Sequence, residues 1–244
     1  MKLILSGSTG LVGTEVIRQS LLNPRITSLV ALTRRPIDIA AIAAEIGGDK
    51  DVSVAKVKSV MLQDFTNYPE EVKNELADAD ACIWTLALTP MRSKQHPWNE
   101  VVRINKDYCV AGMNAIADAR RAAGTKTPFR FMYMSGRGVS YDMKKKPWIL
   151  GDYILMRSGV ENEVRDFAAS HANVGWQTCI ARPGLISGFS GAVGMMKNAT
   201  ITAIGFVGHS VTVRDCAASM IKLCAEGLEK ETLENEDMVR MGKE

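Results

Sequence analysis

Lys2-Leu3-Ile4-Leu5-Ser6-Gly7-Ser8-Thr9-Gly10-Leu11-Val12-Gly13 opens the chain and decides its fold. Its first five residues are a short, mainly apolar run of strand type. Beyond Gly13, the apolar residues Val16, Ile17, Leu21 and Leu22 recur at helical spacing. Glycines at 7, 10 and 13 between a strand and a helix provide the context that a dinucleotide-binding turn requires. Gly7 permits the tight turn, and Gly10 removes a Cβ where backbone must approach a pyrophosphate. Gly13 lets the helix lie close on the strand. The helix N-terminus offers free N–H groups and a positive dipole end to the phosphates. Gly7, Ser8, Thr9, Gly10, Leu11 and Val12 are therefore the candidate phosphate-binding residues. A ligand-free glycine turn is the plainer alternative, and the strand–turn–helix context argues against it.

Outward from this turn, strand-like runs alternate with helical patterns. Ser28–Thr33, 52–61, 81–86, 129–135 and 176–181 read as strands, while 12–22, 37–46, 69–77, 97–123 and 153–171 read as helices. Such alternation predicts an α/β fold, a doubly wound parallel sheet of Rossmann type with helices on both faces. Ligands of such sheets bind at the carboxyl ends of the strands, where the strand order reverses. After Arg182 the alternation weakens. Pro183-Gly184 breaks the chain, 188–208 is glycine-rich, and Val211–Val213 leads into a helix over 214–226. We read residues 1–244 as a single domain whose substrate-side elements lie mainly in 183–244, a small C-terminal lobe.

A chain of 244 residues suffices for one sizeable α/β core. No apolar run reaches the length of a membrane span, and a strand beginning at Lys2 leaves no room for a targeting peptide ahead of it. Five scattered cysteines without a Cys-x-x-Cys pair point to reduced thiols in a cytoplasmic setting, and three histidines without ligand spacing argue against a metal. A net charge of +3 is too small to indicate nucleic-acid binding. The basic run Lys144-Lys145-Lys146 reads as a solvated loop.

The end of the second strand selects between nicotinamide cofactors. An acidic residue there would bond the adenosine ribose and repel a 2′-phosphate. The chain carries Thr33-Arg34-Arg35-Pro36 instead, and the planar guanidinium fork suits phosphate. Arg34 and Arg35 thus favour NADP(H) over NAD(H), the alternative being two solvated arginines at a strand end. Asp64 is placed either to reach an adenine or to form a turn.

Gly7, Gly10 and Gly13, Ser135 ending the fifth strand, Tyr153 opening a helix and Arg182-Pro183-Gly184 after the sixth strand resemble the short-chain dehydrogenase/reductase superfamily in its extended or atypical branch. The stretch Gly208-His209-Ser210-Val211-Thr212-Val213, with Leu233-Glu234-Asn235, is similar more specifically to the Tat-interacting-protein family and its fungal relatives. The resemblance implies hydride transfer between a nicotinamide and a carbonyl or alcohol. A tyrosine supplies or takes the proton, a serine steadies the substrate oxygen, and a lysine four residues after the tyrosine depresses its pKa and holds the nicotinamide ribose. Ser135 and Tyr153 occupy the serine and tyrosine positions; Arg157 stands where the lysine is expected. An arginine keeps the charge that favours the phenolate but not the compact ammonium geometry. The alternative is a core tyrosine and a surface arginine. Tyr141 and Lys145 share the four-residue spacing, but Pro147 makes the segment poor ground for a helix.

The resemblance further implies that Leu86 and Ala87, after Thr85, pass close to the nicotinamide ribose, and that Asn105 organises a proton-relay water. An exposed helical asparagine is the plainer account of Asn105. Residues 140–151 read as an active-site loop with Trp148 and Ile149 facing substrate, and Met91, Met195 and Met196 as pocket methionines. Three functions stay open. The first is an NADPH-dependent reductase of a carbonyl in a largely apolar small molecule. The second is a non-catalytic NADPH-binding regulator working through a protein partner, and the third a non-redox isomerase or lyase.

Overall fold

The computed structural model describes residues 1–46, 52–139, 141–144, 146–188 and 210–243. Strand β1 (Lys2–Ser6) runs through the glycine turn into α1 (Leu11–Leu22), followed by β2 (Ser28–Thr33), α2 (Ile39–Ala44) and β3 (Val57–Met61). Then come α3 (Glu70–Leu76), β4 (Ala81–Trp84), the short helices α4 (Pro90–Ser93) and α5 (Trp98–Val102), α6 (Tyr108–Ala122) and β5 (Phe129–Met134). The long helix α7 (Gly151–Ser170) leads to β6 (Trp176–Arg182) and β7 (Leu185–Ser187). Beyond these lie β8 (Ser210–Thr212), α8 (Val213–Glu226), β9 (Thr232–Glu234) and α9 (Asn235–Met241).

The main sheet is parallel throughout, in the order β3-β2-β1-β4-β5-β6-β9. This is the doubly wound arrangement expected of the alternation, and the order reverses between β1 and β4. Both faces are covered, so the central strands are buried along their length rather than alternating with solvent. Their side chains still divide by the two-residue period of a strand. Leu3, Leu5, Ile83, Met132 and Cys179 face a layer formed by α1 and α8, where Val16, Ile17, Cys216 and Met220 are buried. Ile4, Trp84, Phe131, Tyr133 and Ile180 face the opposite layer with Val72, Met113, Val160 and Val164 of α3, α6 and α7. Gly112 of α6 is required by this packing, because a Cβ there would collide with the Trp84 ring.

Three local departures from the sequence reading have physical reasons. The strand expected over 52–61 is shorter, because Val54–Lys56 forms a 3-10 turn before β3. The helix expected over 97–123 is interrupted by a π-helical turn at Arg103–Asp107 between α5 and α6. There the fully buried Asn105 donates from Nδ2 to the Val101 carbonyl at 2.9 Å, a side chain occupying the interrupted backbone ladder. The stretch assigned to a substrate-side lobe divides. Helix α8 and strand β9 belong to the main core, β9 pairing with β6 in register Ala181↔Leu233, while β7 and β8 pair with each other apart from it. The glycine-rich region 189–209, with Met195, Met196, Gly208 and His209, lies outside the described residues, as do Ser140 and Lys145.

All five cysteines are buried, free thiols. Among the described residues no group of histidine, cysteine and carboxylate side chains is arranged to hold a metal, and no helix is long and apolar enough to cross a membrane.

Candidate active site

The glycine turn sits at the crevice between β1 and β4. Gly7 has φ 74°, a left-handed conformation that costs glycine little. It is also crowded: a Cβ at Gly7 would lie 2.5 Å from Thr85 Oγ1 and 2.7 Å from the Leu86 amide nitrogen. A Cβ at Gly13 would collide with the Gly7 carbonyl, so α1 packs directly on the turn. The turn is closed by the Gly10 amide, which donates to the Gly7 carbonyl at 2.9 Å. Thr85 holds the far wall, donating from Oγ1 to the Ser6 carbonyl at 2.7 Å. Ser8 is buried and donates to the Leu32 carbonyl, whereas Thr9, Gly10 and Leu11 face solvent at the start of α1 and Val12 enters the core. Gly10 is thus open where the turn presents its amides, and the two crowded glycines, Gly7 and Gly13, hold its shape. Leu86 and Ala87 are partly exposed beside it. These features fit a pyrophosphate held by backbone N–H groups.

Arg34 and Arg35 are exposed at the end of β2, and neither guanidinium has a carboxylate partner among the described residues. Their backbone is fixed instead, with Thr33 Oγ1 donating to the Arg35 carbonyl at 2.6 Å and Gln63 Nε2 donating to that of Arg34 at 3.1 Å. Two arginines without carboxylate partners among the described residues, on a loop fixed beside the glycine turn, suit a phosphate monoester. Asp64 accepts from the Thr66 amide and hydroxyl at 2.9 and 2.8 Å and pairs with Arg103 at 3.4 Å. The bonds from Thr66, then Arg103, hold its carboxyl below the ordinary range, and the turn-forming account describes it.

Tyr153, in the first turn of α7, is half-buried, and its hydroxyl donates to the Leu88 carbonyl at 2.7 Å. This bond ties α7 to the segment after β4. Burial raises the Tyr153 pKa above the usual phenol value, and Arg157 opposes that shift less strongly. The depression expected from a neighbouring cation is therefore overridden by desolvation. Ser135 directly follows β5. Its amide donates to the Ala181 carbonyl at 2.8 Å, while its buried Oγ has no partner among the described residues.

Arg157 is buried, which removes the surface-arginine alternative. Its Nη2 donates to the Met134 carbonyl at 2.6 Å and its Nη1 to Asn105 Oδ1 at 3.4 Å, with the guanidinium carbon 5.0 Å from the centre of the Tyr133 ring. Asn105 is likewise buried rather than exposed. Tyr141, the rival to Tyr153, is held between Arg165 and Arg182, 4.2 and 4.5 Å from its ring centre, and its hydroxyl meets Thr232 Oγ1 at 2.9 Å. Arg182 in turn pairs with the fully buried Glu161 at 2.5 Å. Tyr141 therefore anchors its loop to the sheet. The loop carries Trp148 and Ile149 outward, contrary to their expected place facing substrate, and Trp148 is 97% exposed.

Two parts of the site had no residue signature. The partners of Tyr153 and Arg157 at Leu88 and Met134 are backbone carbonyls, which any residue supplies. The Tyr133 contact joins a strand residue to a helix residue and follows only from their packing.

No family model matches the chain. FMP52, described as mitochondrial, from Candida albicans is 25% identical over 189 residues, covering 77% of this chain and 68% of that protein. Among solved structures, a short-chain type dehydrogenase/reductase from Mycobacterium ulcerans superposes with TM-score 0.68 at 16% identity, covering 98% of this chain and 90% of that one. Gre2 from Candida albicans, solved with NADPH, gives TM-score 0.62 at 16% identity over 96% and 78% of the two chains. A UDP-glucuronic acid 4-epimerase from Bacillus cereus, solved with NAD, gives 0.62 at 15% identity over 96% and 76%. One fold thus accommodates either nicotinamide. In fold this chain is a Rossmann protein that superposes on solved short-chain dehydrogenase/reductase structures, and in sequence it is similar to FMP52.

Proposed function

We propose that the chain is an NADPH-dependent reductase acting on a carbonyl in a largely apolar small molecule. One observation carries this reading: the Tyr153 hydroxyl reaches the Leu88 carbonyl after β4, and Ser135, whose Oγ has no partner among the described residues, directly follows the neighbouring β5, so both lie at the carboxyl end of the sheet. The turn from Gly7 to Val12 would hold the pyrophosphate, Arg34 and Arg35 the 2′-phosphate, and Leu86 and Ala87 the wall beside the ribose. NADPH, when bound, supplies the hydride. Tyr153 carries its proton through the neutral range and would be the group that gives it to a carbonyl oxygen. Burial, by raising its pKa, makes it a weaker acid than a free phenol, so the proton transfer would rely on positioning. Substrate oxygen would take the place of the Leu88 carbonyl as acceptor, and Ser135 Oγ would donate a second bond. Arg157 is a positioning residue, since its donors are turned to Met134 and Asn105.

That same orientation favours a second reading. With the cation engaged away from the Tyr153 hydroxyl and the phenol already bonded to Leu88, the fold equally suits an NADPH-binding regulator acting on a protein partner. Following NADPH absorbance with a panel of apolar aldehydes and ketones separates the two. For a reductase, Tyr153→Phe lowers turnover by roughly 10²–10⁴ with NADPH affinity nearly intact. Undiminished turnover in this variant overturns the mechanism, and the absence of turnover across the panel favours the regulator.

A further inference from the structure

Exposed apolar side chains gather at one end of the molecule. Met91 is 74% exposed, Trp98 48%, Trp148 97% and Ile149 67%, and Met143, Leu150 and Leu185 are also open to solvent. All follow the carboxyl ends of strands: Met91 and Trp98 after β4, Met143 to Leu150 after β5, and Leu185 after β6. The Tyr153–Leu88 bond brings the two larger groups together, because Leu150 precedes Tyr153 by three residues and Met91 follows Leu88 by three. Scattered exposed apolar residues are ordinary, but a group at one end that includes a tryptophan almost wholly in water marks a contact surface. The tip is also held in an uncommon backbone shape. Leu150 has φ 57°, left-handed without being glycine, at the start of α7.

The charges around these side chains identify the occupant. Over 89–98 and the described part of 141–152, Arg92, Lys94, Lys144 and Lys146 stand against Asp142 and Asp152. Lys146 pairs with Asp152 at 2.8 Å, and Asp142 accepts from the Lys144 amide at 3.0 Å. The Arg92, Lys94 and Lys144 side chains have no carboxylate partner among the described residues. Projecting tryptophan and aliphatic side chains fringed by unneutralised cations match the headgroup boundary of an anionic bilayer. A folded protein partner would need a cavity shaped to the projecting Trp148, whereas a bilayer requires only projection and positive charge.

We propose that this end of the chain docks on an anionic lipid surface. Trp148, Ile149 and Met91 enter the boundary between headgroups and acyl chains, while Arg92, Lys94 and Lys144 meet lipid phosphates and carboxylates. On the reductase reading, the mouth of the site then faces the store of an apolar substrate. The docking surface does not depend on that reading.

Co-sedimentation of the full chain, without cofactor or substrate, with phosphatidylcholine vesicles and with vesicles containing phosphatidylserine tests this. The protein should pellet with the phosphatidylserine vesicles and largely remain in solution with phosphatidylcholine alone. Trp148→Ser with Ile149→Ser should weaken binding at least about tenfold, and Lys144→Glu with Arg92→Glu should remove the preference for phosphatidylserine. Val174→Ser, exposed beyond the opposite end of β6, should bind as wild type and with an unchanged melting temperature. Failure of the wild type to pellet with anionic vesicles, or undiminished binding of the Trp148/Ile149 variant, overturns the proposal. Absence of NADPH turnover bears only on the reductase reading.

Discussion

The Arg157 guanidinium donates to the Met134 carbonyl at 2.6 Å, fixing helix α7 to the final residue of β5, immediately ahead of Ser135. The tyrosine helix and the serine strand are thus joined by a side chain four residues after Tyr153, though that side chain faces the strand rather than the crevice. Its other donor reaches Asn105 in the π-helical turn, so one buried cation links three segments of the candidate site.

The first prediction concerns this link. Arg157→Met leaves the Met134 carbonyl and Asn105 Oδ1 without a donor, and should cost about 1–3 kcal/mol for each group that stays dry. Arg157→Lys retains one charged donor and should cost less. Urea unfolding reads both, as a lower midpoint with unchanged slope. On the proposed mechanism, Arg157→Lys also keeps or raises NADPH turnover, because an ammonium is freer to approach the crevice.

Cofactor selection gives the second. Arg34 and Arg35 lack carboxylate partners among the described residues, so a 2′-phosphate would not have to displace one. NADPH should bind at least about tenfold more tightly than NADH, the effect of one charge-assisted contact. Exchanging both arginines for alanine should erase the difference while leaving NADH affinity nearly unchanged. Equal affinities in the wild type, measured by fluorescence titration, would remove the role given to these residues.

The third tests the glycine turn. Gly13→Ala places a methyl group against the Gly7 carbonyl and the Ser8 backbone. It should destabilise the fold by about 1–3 kcal/mol and weaken both nicotinamides alike. Gly136→Ala, where an added Cβ meets nothing within 4 Å, is the matched control and should be near neutral. Paired thermal melts with and without cofactor distinguish lost stability from lost binding.

Alkaline stability supplies the fourth. Burial holds all five thiols above their ordinary value of 9.0, and it pushes Cys179 and Cys216 up to about 12. Between these limits the unfolded chain gives up thiol protons that the native chain retains. The native state then binds more protons, so stability falls as pH rises. This contribution is intact below about pH 9 and is lost progressively toward about pH 12. The buried phenols of Tyr68 and Tyr133, also raised by desolvation, act in the same direction above their ordinary value of 10.0. Urea midpoints should therefore decline steadily above about pH 9; a flat profile would show that the thiols ionise freely in the native state.

Sequence by itself determined the turn and the sheet. Gly7 and Gly13 stand where the packed backbone leaves no room for a side chain, and the apolar runs report burial directly, so β1, β2, α1 and a doubly wound parallel sheet were legible along the chain. The position of Tyr153 at the start of a helix was legible for the same reason, since Pro147 excludes the helix that Tyr141 would need. Only the tertiary structure decided which way the polar side chains face. Arg157 is turned to Met134 and Asn105 because burial demands partners for every donor, and the carbonyl that meets it belongs to a strand more than twenty residues away. Tyr153 keeps a raised pKa because desolvation, a property of the whole packed layer, outweighs the nearby charge. Asn105 is buried within an interrupted helix, and Trp148 projects into solvent two residues ahead of the left-handed Leu150. Local periodicity records which residues leave water; it does not record what they meet once there.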